Sequence, residues 1–359
     1  MLYYIAKKIL YSLLVLWGVI SLIFILFNVV PGDPARMVMG QRSDSASLAA
    51  ARRDLGLDKS LTIQYIKYLN DMSPLSLHDK YNKGSYFYYN TETYSSSIAL
   101  FTVGDKIFVL KAPYLRRSYQ NKKNVSEILF DALPNTLLLA TVAILFAFIV
   151  GIAFGTVSAL YRDTWYDKSL MALASLGVSL PSFFAAIIVA WLFAYVFANY
   201  TGLNLTGNFV EMDDMGEHLT IQWKNIILPA FTLGIRPLSV AVQLSRSSLL
   251  DVLSQDYIRT AKSYGASTFT IIWKHALKNS LNPVITSLSG WFASMMAGVV
   301  FIEYIFGWKG LGYIIVSALN NYDVPLVMGA VIVISMIFVV VNILVDICYT
   351  WLDPRVKLD

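Results

Sequence analysis

The chain is poor in charge: Asp, Glu, Lys and Arg together make up 14% of its 359 residues, against roughly a quarter in a soluble globular protein. That shortfall excludes a surface wetted all round. Cysteine is represented by Cys348 alone, which excludes an intrachain disulfide and leaves the redox compartment unmarked. Because Cys348 lies in an apolar run, it reads as a packing residue. The three histidines, His78, His218 and His275, are scattered, so a clustered His site for metal or triad chemistry is excluded and no catalytic residue is assigned. No Gly-Lys dipeptide occurs anywhere. A phosphate-cradling loop typically ends in Gly-Lys-Ser/Thr, so the chain has no Walker-type ATPase site and must borrow its energy. The formal charge of +5 is small for this length, and no nucleic-acid-binding signature accompanies it.

What the chain has is apolar length. Hydrophobic residues make up 57% of it, and crossing a hydrocarbon core takes roughly 20 helical residues. Six runs qualify: Ile9 to Val30, Pro134 to Leu160, Ser169 to Ala198, Ile226 to Leu250, Val284 to Phe306 and Pro325 to Leu352. The fold class expected is an all-α membrane protein, a bundle of six spans. The first run follows Lys7 and Lys8, yet it is longer than a usual signal-peptide core and lacks a small-x-small cleavage site, so it is expected to be a retained span.

Basic residues near span ends set orientation. Lys7, Lys8, Arg162, Lys168, Arg246, Arg259, Lys262, Lys274, Lys278, Arg355 and Lys357 all fall on one side, which predicts cytoplasmic N- and C-termini. Opposite short loops carry Glu211, Asp213, Asp214 and Glu217 with Lys224, then Lys309 with Asp323. The chain then divides into a first span at 1–30, an extracytoplasmic insertion at 31–133, a five-span core at 134–352 with a cytoplasmic loop at 251–283, and a cytoplasmic tail at 353–359.

The insertion is expected to be a small α+β subdomain. Short helices are predicted over Ser47 to Leu55 and Thr62 to Leu69. Ile98 to Val103 and Lys106 to Lys111 flank Gly104-Asp105, a two-residue hairpin signal. The Tyr-rich stretch from Tyr81 to Tyr94 reads as a surface or interfacial loop, with partner or substrate contact as the alternative.

Between the fourth and fifth runs lies QDYIRTAKSYGASTFTIIWKHALKNSLNP. Tyr257, Ala261 and Tyr264 recur at helical spacing, and Gly265 supplies a residue able to end the helix in the left-handed conformation. Ser267 is a candidate N-cap of a second helix, whose apolar stripe is Phe269, Ile272, Trp273, Ala276 and Leu277. Ionisable residues inside spans are functional candidates. Glu303 and Asp346 lie toward span ends, where capping or snorkelling accounts for them. Arg236, deeper and followed by Pro237, is the candidate for the substrate pathway, with pairing inside the bundle as its alternative.

The segment resembles the EAA loop of ABC-importer permeases in the form of the dipeptide and oligopeptide branch: Tyr257, Arg259, Thr260, Ala261, Gly265, then His275 to Asn279. The order of Val30-Pro31-Gly32-Asp33-Pro34, Leu55-Gly56-Leu57-Asp58, Leu133-Pro134-Asn135-Thr136, Phe306 to Gly312 and Asp353-Pro354-Arg355 is similar to that family as well. From about Ser73 to Lys123 the chain fits the pattern poorly and is expanded. The resemblance implies a peptide permease subunit in a bacterial cytoplasmic membrane, with no cofactor of its own. ATP and Mg would be bound by two partner ATPase subunits. A second permease subunit and an extracytoplasmic solute-binding protein would complete the assembly. It also implies a coupling helix whose ATPase contacts are Asp256, Tyr257, Arg259, Thr260, Ala261, Lys262, Tyr264 and Gly265. Nickel complexes or other small solutes are the alternative cargo within the branch. An ion-coupled secondary transporter is the reading from another class, and it leaves the loop unexplained.

Overall fold

The structure, a computed structural model, describes residues 2–28, 45–54, 56–94, 97–213 and 217–352. The motif from Val30 to Pro34, Leu55, Asp214 and the tail with Asp353-Pro354-Arg355 and Lys357 lie outside the described residues. The chain forms two compact units: Met1–Ile9, Ala132–Tyr313 and Met336–Asp359 make one, Leu10–Asp131 and Ile314–Ser335 the other.

Helices dominate. They are α1 (Leu2–Asn28), α2 (Ser45–Asp54), α3 (Leu61–Met72), α4 (Val125–Leu160), α5 (Trp165–Ser179), α6 (Ser182–Trp191), α7 (Ala198–Thr201), α8 (Lys224–Leu253), α9 (Asp256–Ser263), α10 (Thr268–Thr270), α11 (Leu277–Ser280), α12 (Asn282–Gly298), α13 (Val300–Ile305), α14 (Leu311–Asn320) and α15 (Val324–Leu352). Four of these, α1, α4, α8 and α15, are long and apolar enough to cross a membrane.

Two predicted spans depart from straight rods. Ser169 to Ala198 becomes the pair α5 and α6, bent by 114°. The cause is Pro181, whose ring disfavours a helical Leu180; Leu180 takes ψ 131° and breaks the ladder. Past α6 the backbone widens into a π-helical turn, Leu192–Val196. Val284 to Phe306 is likewise divided, into α12 and α13, with Val299 between them.

The core of the first unit is apolar. Leu139 and Ala143 of α4, Val189 of α6, Ile226 and Leu233 of α8, Met295 of α12 and Ile302 of α13 are buried together. The turn between α13 and α14 is held by polar groups that the bilayer cannot satisfy, so they must pair inside the protein. Glu303, fully buried, accepts the Thr136 hydroxyl at 2.7 Å and the Gly312 and Tyr313 amides at 2.6 and 3.2 Å. It thereby caps α14, and the Trp308 indole donates to the Asn135 carbonyl at 3.0 Å. Asp346 pairs with Lys8. Both carboxylates thus have structural partners.

The second unit carries the sheet. β2 (Ser97–Val103) and β3 (Lys106–Lys111) are antiparallel with Val103 opposite Lys106, so the hairpin turns at Gly104-Asp105 as predicted. A strand absent from the sequence reading, β1 (Leu75–Asp79), pairs with the other side of β3, giving the order β1-β3-β2. Beneath it α3 packs Tyr68 against Phe24 of α1, with ring centroids 5.6 Å apart. A second small hairpin, β4 (Val210–Met212) with β5 (Leu219–Ile221), belongs to the first unit and was also not predicted.

Candidate coupling surface

Eight residues make α9, too few for a helix to persist on local hydrogen bonds in water. Its anchor is Ile258, fully buried against Ala159 of α4, Leu249 of α8, and Ile271 and Ala276 of the following segment. Burying one such side chain contributes about 2 kcal/mol. The rest of the helix turns outward. Asp256, Arg259, Thr260, Lys262, Tyr264 and Gly265 are exposed, Tyr264 to 87%, while Ala261 is half-buried. Asp256 in the first turn and Lys262 in the last suit the helix dipole. The exposed Arg259–Asp256 pair, at 3.4 Å, adds little.

The C-terminus closes as a Schellman motif, with Ala266 N–H donating to the Ala261 carbonyl at 3.2 Å and Gly265 N–H to that of Lys262 at 2.9 Å. This requires a positive φ at Gly265, 79° here. Ser267 then caps the next helix, accepting the Thr270 amide at 3.3 Å.

The second helix differs from its expected form. Between α10 and α11 it is π-helical over Ile271–Ala276. The wider turn rotates the buried face onto Ile271, Ile272, Ala276, Leu277 and Ser280, while Phe269 and Trp273 stand 70% and 62% exposed. Their rings lie 5.9 Å apart on the outside. The predicted stripe is corrected accordingly: Ile272, Ala276 and Leu277 belong to the packed face, Phe269 and Trp273 do not. His275 is exposed on the outer side.

One predicted contact residue has a second job. Asn279 Nδ2 donates to the Tyr257 hydroxyl at 2.9 Å, and that hydroxyl reaches the His275 carbonyl at 3.4 Å. Tyr257 therefore ties α9 to α11, which leads into α12. The sequence places Tyr257 in the coupling surface and Asn279 in the His275 to Asn279 motif without joining the two, and it gives Ile258 no role. The signal available for Ile258 was its apolar character between two polar residues of a short helix.

The helix that leads into α9 is itself fixed to the bundle by a further group. Arg246 of α8 makes a two-pronged pair with Asp167 of α5, both contacts 2.7 Å. Asp167, 3% exposed, also accepts the Ser158 hydroxyl of α4 and the Asp163 amide at 2.9 Å. Three helices meet at this carboxylate. They approach closely just beside it: a Cβ at Gly155 of α4 would lie 2.4 Å from that of Ser245 on α8. Arg236 lies higher on α8, exposed, its guanidinium 3.5 Å from the Val178 carbonyl at the end of α5.

A bent α5–α6 pair, long packed helices and a short outward helix held between two of them are the architecture of an ABC-importer membrane subunit. The fold matches a solved structure of the MetNI methionine ABC transporter in an inward-facing conformation. The TM-score is 0.51 at 13% identity, and the match covers 64% of this chain and 97% of that one. Sequence comparison carries this further. The dipeptide transport system permease protein DppB of Alkalihalophilus pseudofirmus is 30% identical, over 99% of this chain and all of that protein. A putative peptide transport system permease protein of Brucella abortus is 32% identical over 99% of both. The glutathione transport system permease protein GsiC of Salmonella paratyphi A is 29% identical over 99% of both. Residues 151–358 match the family described as binding-protein-dependent transport system inner membrane component, and residues 1–83 match its N-terminal companion. The chain belongs to this family: it is a multi-pass inner-membrane permease subunit of an ABC importer, without an ATPase site of its own.

Proposed function

We propose that this permease moves short peptides inward across a bacterial cytoplasmic membrane, driven by two separate ATPase subunits, the resident site of ATP and Mg. The observation that carries the coupling is the construction of α9: one buried apolar anchor, an outward polar face, and a hydroxyl lock to the helix that leads into α12. A push on Tyr264, Lys262 or Arg259 is thereby passed to the bundle. On this reading α9 and both termini face the cytoplasm, and the sheet of the second unit faces outward. A second permease subunit and an external solute-binding protein complete the assembly. Full-length relatives named for dipeptide, peptide and glutathione transport support the choice of cargo.

The test is uptake of labelled di- and tripeptides, presented on the solute-binding protein, by proteoliposomes that hold the permease pair with and without the ATPase subunits. Uptake is expected only with both ATPases and ATP. Uptake that follows an ion gradient without them would overturn the proposal.

Arg236 is proposed to face the pathway and attract the peptide carboxylate, since among the described residues its hydrogen bonding is one long contact to a backbone carbonyl. Arg236→Ala is expected to slow uptake of free-acid peptides more than that of amidated ones. Equal losses would remove that role.

A further inference from the structure

Inside the second unit lies a cavity of about 370 Å³, a size that suits a small solute. Its floor is neutral. Asp71 and Tyr94 are buried there; Lys67 Nζ donates to the Tyr94 hydroxyl at 2.8 Å, that hydroxyl donates to Asp71 at 2.8 Å, and the Lys67–Asp71 pair closes at 3.3 Å. Half-buried rings of Tyr86, Tyr88, Tyr114 and Tyr119 form the walls. Burial pushes the Tyr86, Tyr114 and Tyr119 phenols up, so they remain hydroxyl donors at neutral pH.

The remaining charges are all of one sign. Arg116, Arg117 and Lys122 line the same space, and among the described residues none of them has a carboxylate within ion-pair distance. Arg116 rests on the Tyr68 ring, 5.3 Å from its centroid. The nearby Asp323 is already engaged: it accepts the Ser118 hydroxyl, and the Tyr119 amide at 3.0 Å. It thus anchors the loop instead of neutralising it. Arg116 and Lys122 take φ of 67° and 61°, a left-handed conformation that side chains other than glycine rarely adopt and that concentrates at ligand sites. Asp71 also favours the charge on Arg116, so four cations, Lys67, Arg116, Arg117 and Lys122, share one carboxylate in the lining, and the excess positive charge attracts an anion.

We infer that this cavity binds the C-terminal carboxylate of a short peptide, held by the Arg116, Arg117 and Lys122 cations while the tyrosine walls cover the peptide's side chains. A planar guanidinium suits a carboxylate, and aromatic walls offer contact area that a bare inorganic anion would not use. The inference rests on the peptide reading above and adds a site outside the helical bundle, in the part of the chain that departs most from the family's pattern.

The experiment measures binding of one tripeptide, as free acid and as C-terminal amide, to the full-length permease in nanodiscs by calorimetry. Variants R117A/K122A and K80A/K83A are compared, with hydrogen exchange across the sheet as the folding control. Arg117 and Lys122 are exposed, so their removal leaves the sheet's protection unchanged. The free acid is expected to bind about tenfold or more tighter than the amide, as charge-assisted bonds require. R117A/K122A should lose most of that difference, and K80A/K83A, which removes two exposed cations of the same unit that do not line the cavity, should keep it. Equal affinity for the two forms, an unaffected R117A/K122A variant, or displacement of the peptide by equimolar inorganic phosphate would each overturn the site. No binding by a permease that still imports the tripeptide with its ATPases overturns the site and leaves the transport reading standing. Discrimination without import overturns the transport reading alone.

Discussion

Gly265 and His78 show how much a single position decides here. At Gly265 a Cβ would meet nothing within 4 Å, so the demand is purely conformational. Alanine there strains the left-handed turn by about 1 kcal/mol, and asparagine by less. Hydrogen exchange across 256–263 should accelerate in G265A and stay near wild type in G265N; equal behaviour of the two would remove the conformational argument. His78 is buried on β1 beside Lys67 and Lys111, and burial first, then those cations, push its pKa down to about 4. The unfolded chain therefore binds the proton at higher pH than the fold does, and stability is lost as pH falls from about 6.5 to about 4, by at most about 3 kcal/mol. Lys111, pushed down to about 8 by burial, stays protonated throughout that window and adds no slope. Thermal scans of the full-length protein at about pH 7 and about pH 4.5 should show a larger drop for wild type than for H78N. Parallel drops would remove His78 as the cause.

At the scale of elements, the joint of α4, α5 and α8 at Asp167 is the clearest point of weakness. Breaking a buried pair by removing one partner leaves the other charge uncompensated, a cost of about 3–5 kcal/mol. R246A and D167A are therefore each expected to lower the unfolding temperature by several degrees, and the double variant by less than their sum. Strict additivity would mean that the two residues act independently. The joint was only half legible. Arg246 was recognised as a charge near a span end, but the chain separation between residues 167 and 246 hides the pairing, and Asp167 has no local mark. β1 was illegible for a related reason. Its buried residues are Ser76 and His78 while Leu75 is 61% exposed, the reverse of the usual alternation, because that side of the sheet packs on a polar cluster around Tyr94 and Lys67. The hairpin β2–β3 was legible because Gly104-Asp105 signals its turn locally. The π-helical stretch 271–276 shifted the buried face of a helix whose apolar spacing alone pointed to Phe269 and Trp273.

For the molecule as a whole, the outward face of α9 ought to matter for driven transport without mattering for folding. Replacing Arg259 and Lys262 together by Glu reverses two exposed charges and touches no buried group. Peptide uptake with the ATPase subunits is expected to fall by at least about tenfold, the equivalent of about 1.4 kcal/mol of lost coupling, while the unfolding temperature stays unchanged. Undiminished uptake would show that α9 is not where the drive enters.

The amino-acid sequence by itself determined that the chain lives in a membrane, that it carries no phosphate-binding loop, that a short helix ending at Gly265 lies between two spans, and that a hairpin turns at Gly104-Asp105. Each rests on local composition or on spacing within a few turns, which the chain expresses without reference to its neighbours. Tertiary structure decided the 114° bend at Pro181, the anchoring of α9 through Ile258 and Asn279, the Asp167 joint, and the gathering of Arg116, Arg117 and Lys122 around one cavity. Those depend on which distant side chains burial brings together and which charges it leaves without partners, and neither is a property of any short stretch of sequence.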